Sequence, residues 1–152
     1  MTLGMLADCE TFAGHMDAAR ARWQDALGHL ETLARKVPGA RLDWAFGLQG
    51  YSQLQLSLGD LKGAAESIDQ ALGILTSTPT ATDEPQQVSH RGWVLTQVGM
   101  VREAQHRGVE AKLYFQQAAT LFQALAQRHA LQAGWRGPIE ILRKKARWVE
   151  QP

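Results

Sequence analysis

Residues 48–72 read LQGYSQLQLSLGDLKGAAESIDQAL, two apolar runs joined at Gly59-Asp60. Before the joint, Leu42, Ala45, Leu48, Tyr51, Leu54 and Leu58 recur three and four residues apart, which is one face of a helix. After it, Ala64, Ile68, Ala71 and Leu75 follow the same spacing. A glycine leaves one helix and an aspartate opens the next. The spacing predicts a helix from about Arg41 to Leu58 and another from Leu61 to Leu75.

The pattern recurs on both sides. Gly14, Ala19, Trp23, Ala26, Leu27 and Leu30 repeat the offsets of Gly59, Ala64, Ile68, Ala71, Leu72 and Leu75, 45 residues earlier. Ala111, Phe115, Ala118 and Phe122 repeat them 47 residues later, with Gly108 three residues before the alanine rather than five. The preceding helices match as well: Leu48, Tyr51 and Ser52 correspond to Leu95, Val98 and Gly99. Alanines on one helical face let a neighbouring backbone approach, and the bulky residue between them fills the gap. Ser52 and Gly99 are the small residues where the two helices of a hairpin come closest.

This arrangement resembles the tetratricopeptide repeat family, whose motif places a large and a small residue on one helix, here Tyr51 and Ser52. A turn follows, then alanine, bulky, alanine on the second helix: Gly59, Asp60, Ala64, Ile68 and Ala71. The resemblance implies an all-α, right-handed superhelix of antiparallel hairpins, about seven helices in one domain over residues 1–152. The hairpins fall at about 1–37, 41–75 and 84–128, with a capping helix at about 138–150. The copies stand farther apart than the family's usual 34 residues. Elongated repeats of this kind resemble the helical regions of bacterial regulators.

Elsewhere, Pro38-Gly39 punctuates the chain, and TSTPTATDEPQQ (76–87) is a loop. Asp83 is a candidate cap for the helix that follows, with Pro85 in its first turn. That helix reaches about His106, and the next spans roughly Val109 to Arg128. Gly134, Gly137 and Pro138 either kink the last stretch or end a loop and open a short helix, the second being favoured.

The composition bounds the functional class. Net charge is +1, so no field of the whole molecule steers a ligand. A single cysteine, Cys9, excludes an intrachain disulfide. The N-terminus lacks a signal-peptide pattern, and no apolar run is long enough for a membrane span. A cytoplasmic protein is expected.

No catalytic motif is present: HExxH, a glycine-rich phosphate loop and a nucleophile elbow are all missing. His15, His29, His90, His106 and His129 include no i,i+4 pair, so no metal site is announced. Asp8 and Glu10 flank Cys9, and acids raise a thiol's pKa, the wrong direction for a nucleophile. No enzymatic activity, cofactor or metal is expected.

In the resembled family the first helix of each hairpin lines the concave face. The candidate binding residues are Phe46, Gln49, Gln53 and Leu56 on one such helix, and Trp93, Thr96, Gln97 and Met100 on the next. Phe46 and Trp93 stand at equivalent offsets, 47 apart, and either line a groove or fill the seam between hairpins. This surface is neutral and glutamine-rich, with Arg102 the main cation nearby. It differs from the Lys/Arg/Asn clamp by which some family members hold a terminal carboxylate. A peptide or protein partner fits it, making the chain an interaction scaffold.

The alternative is a regulatory or nucleic-acid-associated helical domain. Arg143, Lys144 and Arg147 form a possible basic patch beside Trp148, and base exceeds acid by 6 to 2 over residues 128–152. So few phosphate contacts bind nucleic acid weakly, and an acidic protein is the better match. Trp135, Ile139, Leu142 and Trp148 suit a terminal cap. The short first helix, with Leu3, Leu6, Ala7 and Phe12, points to self-association as a homodimer or to a missing upstream region.

Overall fold

The structure, a computed structural model, describes residues 16–78, 84–128 and, near the C-terminus, 141, 142, 144 and 145. The described residues form an all-α fold. Its elements are α1 (Met16–Lys36), a 3-10 turn (Pro38–Ala40), α2 (Arg41–Ser57), α3 (Leu61–Ser77), α4 (Pro85–Ala104) and α5 (Gly108–Arg128). Ile141, Leu142, Lys144 and Lys145 are helical too. The first helix expected before Gly14 and most of the 138–150 cap lie outside the described residues. Among the described residues five packed helices are present, and the remaining expected ones fall on residues outside them.

The chain divides into two compact units, Met1–Thr78 and Pro79–Pro152. In the first, α2 packs against both α1 and α3; in the second, α4 packs along α5. Helix contacts therefore run between sequence neighbours, as in hairpins.

The repeated offsets acquire a structural meaning within each unit. Ala19, Ala64 and Ala111 are each the fourth residue of their helix, and each is 0% exposed. Ile68 and Phe115 are buried, while Trp23 is half-buried against Ala19, Tyr51 and Leu54. Fully burying such a side chain contributes about 1.5–3 kcal/mol. Ala71 and Ala118 are buried as well, whereas Ala26 is only partly so.

Small residues seat the large ones. A Cβ on Gly99 would stand 2.5 Å from the Phe115 ring, and one on Gly92 would stand 2.7 Å from Phe122. Gly50 likewise lies under the Trp23 ring, so α1 approaches α2 as closely.

The α2–α3 turn is compact because each of its residues answers an unpaired backbone group. Gly59 takes φ 78°, the left-handed region that glycine enters without a side-chain penalty. With it, the Asp60 N–H donates to the Gln55 carbonyl at 2.9 Å and the Gly59 N–H to that of Leu56 at 3.0 Å. These are the two bonds of a Schellman motif. Asp60 then caps α3, its Oδ1 accepting from the Gly63 N–H at 2.9 Å.

The α4–α5 turn repeats this closure without glycine. His106 takes φ 61°, Arg107 N–H donates to Arg102 O at 2.8 Å, and His106 N–H to Glu103 O at 3.0 Å. His106 lies 47 residues after Gly59, so the third copy's missing glycine is replaced in conformation by a histidine. Gly108 is instead the first residue of α5.

Two further contacts fix helix ends. The Arg41 guanidinium donates to Ser77 Oγ at 2.8 Å and Thr78 Oγ1 at 3.3 Å, tying the start of α2 to the end of α3. At α4 the cap position falls to Glu84 rather than Asp83, because Pro85 already occupies the first helical turn; Glu84 makes no side-chain capping bond. Asp83 lies outside the described residues.

Candidate functional site

Helix α2 is flanked on two sides and keeps only a narrow strip open. Phe46 is 36% exposed, Gln53 is exposed and Leu56 half-buried, while Gln49 is 9% exposed between them. Large apolar side chains on neighbouring faces, such as Leu48, Tyr51 and Leu54, are buried.

The equivalent strip of α4 is more closely packed. Trp93, Thr96 and Met100 are each half-buried, and Gln97 is 3% exposed. Trp93 touches its own hairpin partner, with its ring edge-on to Phe122 at 5.2 Å between centroids and 64° between planes. This T-shaped pair lies within the α4–α5 hairpin. Thr96 Oγ1 donates to the Gly92 carbonyl at 2.8 Å, which turns the hydroxyl onto its own helix. Each strip is thus described within its own unit.

Charge near α4 is largely internal. Arg102, expected as the cation beside the strip, is 7% exposed, because its stem packs in the hairpin while its head reaches Glu110 across it. Its Nε lies 3.5 Å from Glu110 Oε2, and its Nη1 donates to Gln105 Oε1 at 3.2 Å. Glu110 also accepts from Arg107 at 2.7 Å, so one carboxylate holds two guanidinium groups. Burial lowers the pKa of Arg91, which still leaves this guanidinium charged at neutral pH.

Of the basic run, Arg143 and Arg147 lie outside the described side chains. Lys144 is exposed, and Lys145 Nζ sits 5.6 Å above the Phe115 ring. Beside it, Leu142 is 2% exposed. That cation–π contact holds one lysine against the core and leaves Lys144 for solvent.

The first unit also carries a trough that the sequence reading did not single out. Its volume is about 270 Å³, with Trp44, Leu48 and Tyr51 of α2 as floor and Gln24, Leu27 and Glu31 of α1 as one wall. Ser67 and Gln70 of α3 form the other wall. Several of its polar groups partner within the protein. Gln24 Nε2 donates to the Tyr51 hydroxyl at 3.3 Å, Ser67 Oγ to Gln55 Oε1 at 2.7 Å, and Arg35 to Glu31 at 2.8 Å. Leu48 and Tyr51 read as core from their helical spacing, while Trp44, four residues before Leu48, was not singled out.

Among the described residues no group of three His, Cys, Asp or Glu side chains could hold a metal ion. No helix among them is long and apolar enough to cross a membrane. No protein-family model, curated protein or solved structure matches the chain.

Proposed function

We propose that the chain is a tetratricopeptide-like scaffold that binds a peptide or protein partner along the strip of α2 and the equivalent strip of α4, without catalysis. The observation that carries this reading is Phe46. An aromatic side chain is 36% exposed on a helix whose other large apolar residues are mostly buried. Aromatic side chains are among the strongest anchors of an interface, because they desolvate a large area at small entropic cost. Gln53 and Leu56 extend the strip with one amide and one apolar contact, chemistry suited to a neutral peptide.

Stacking of successive hairpins into a right-handed superhelix belongs to the same proposal, as does a cytoplasmic setting. The superhelix rests on the sequence resemblance, and the cytoplasmic setting on the signal-peptide and membrane-span patterns that the sequence lacks.

A random-peptide display library selected on the immobilised full chain tests it. Selected peptides are then titrated by fluorescence anisotropy against wild type, Phe46→Ala and Gln53→Arg. A loss of about 10-fold or more in affinity, near 1.4 kcal/mol, with unchanged melting supports the strip. Trp93→Ala serves as a contrast, since it also removes the contact with Phe122 and is expected to lower the melting temperature along with any binding loss. Peptides that bind Phe46→Ala as well as wild type overturn the proposal.

A further inference from the structure

The trough of the first unit is built in rungs. Gln24 of α1 donates to the Tyr51 hydroxyl of α2 at 3.3 Å, which sets the antiparallel register of the two helices. Three residues onward in α1 and three back in α2, Leu27 and Leu48 line the trough together. Seven onward and seven back, Glu31 and Trp44 do the same. Residues three, four and seven apart share a helix face, so the three pairs follow one another along the trough. It runs from an amide and a phenol, past two leucines, to a carboxylate beside an indole.

That last rung has binding capacity to spare. Trp44 is half-buried, whereas Tyr51 is 8% exposed, so the indole is the accessible ring. Glu31 accepts from Arg35 at Oε1 at 2.8 Å, and its Oε2 has no partner among the described residues. The Arg35 contact is an exposed i, i+4 pair, which is weak. Elsewhere in this chain one carboxylate, Glu110, holds two guanidinium groups at once. No described residue lining the trough is a cation.

We propose that this trough binds an arginine side chain presented by a polypeptide partner. The planar guanidinium stacks on Trp44 and donates to Glu31, two contacts that suit its shape and charge together. Its methylene stem lies along Leu27 and Leu48. The volume of about 270 Å³ falls below the roughly 300–1,000 Å³ of small-ligand pockets, so the trough takes one side chain and leaves the backbone outside. Trp44 stands two residues from Phe46, roughly 200° around the helix, so the site is independent of the strip assigned to a peptide.

Titration of the full chain with N-acetyl-arginine methylamide, followed by NMR at the Trp44 indole N–H, tests this. Saturable binding is expected with Kd on the order of 0.1–5 mM, as suits a single side chain. The citrulline counterpart, equal in shape but uncharged, is expected to bind about 10-fold more weakly or worse. Gly28 lines the trough, and a Cβ there meets nothing within 4 Å, so Gly28→Leu is expected to block binding without lowering the melting temperature. Glu31→Gln is expected to weaken binding about 3-fold or more, and Arg35→Ala, which removes a competing guanidinium, to strengthen it about 2-fold. Phe46→Ala is expected to leave it unchanged, which separates this site from the strip. No saturable shift at Trp44, equal affinity for citrulline, or wild-type binding by Gly28→Leu overturns the proposal. Butylguanidine binding about 10-fold more tightly than the capped arginine also overturns it, by assigning the trough to a small free guanidine.

Discussion

The Ser52 hydroxyl donates to the Ala64 carbonyl oxygen at 2.8 Å, across the α2–α3 pair and with both residues fully buried. A helix carbonyl that accepts a bond from the neighbouring helix is within reach only where both side chains are small. Serine therefore does two things here: it leaves room and it supplies a bond. Ser52→Ala is expected to lower unfolding free energy by about 1 kcal/mol, the net worth of one hydrogen bond. Ser52→Val adds bulk to a closed contact and is expected to lose about 1–3 kcal/mol. Urea denaturation followed by circular dichroism separates the two.

Gly59 and His106 close equivalent turns with positive φ, but only glycine does so without side-chain strain. His106→Gly is expected to raise stability by about 0.5–1 kcal/mol, and Gly59→Ala to lower it by about 1 kcal/mol. Opposite shifts in denaturation midpoint check the pair. Equal signs contradict the equivalence of the turns.

Glycines inside helices divide by surroundings. Gly28 has nothing within 4 Å of a built Cβ, so Gly28→Ala is expected to gain about 0.8–1 kcal/mol from helix propensity alone. Gly99→Ala forces the Phe115 ring to move and is expected to lose about 1–3 kcal/mol despite the same propensity gain. Thermal melts of the two variants, moving in opposite directions, report the seat beneath Phe115.

Asp60 caps α3 through Oδ1, and Asp60→Ala is expected to cost about 1 kcal/mol. Asp60→Asn keeps an oxygen acceptor and is expected to retain most of that stability. Urea midpoints of both variants check whether the acceptor, rather than the charge, holds the turn.

Much of the fold was legible because its signals are local. Gly59-Asp60 marked a turn through glycine's freedom and aspartate's capping oxygen. Ala64, Ile68 and Ala71 marked the packed face by their spacing. The end of α4 was less legible, since no rule of composition singles out His106 for the left-handed region. Its offset from Gly59 was the one clue. Arg102 read as a surface cation because charge is usually solvated, and only tertiary packing with Glu110 accounts for its burial. For the candidate strip, sequence spacing placed Phe46 and Trp93 at matching offsets. Whether a side chain then meets solvent or a neighbouring ring depends on residues far away in sequence, as Phe122 does for Trp93.

Matched close approach at Ala19, Ala64 and Ala111 underlies the hairpin repeat, and the unfolding free energies of Ala19→Leu, Ala64→Leu and Ala111→Leu measure it directly. Each alanine is the fourth residue of its helix and wholly buried, so each variant is expected to lose about 1–3 kcal/mol through overpacking. One variant as stable as wild type contradicts the repeat, because leucine at that position then meets open space rather than a neighbouring helix.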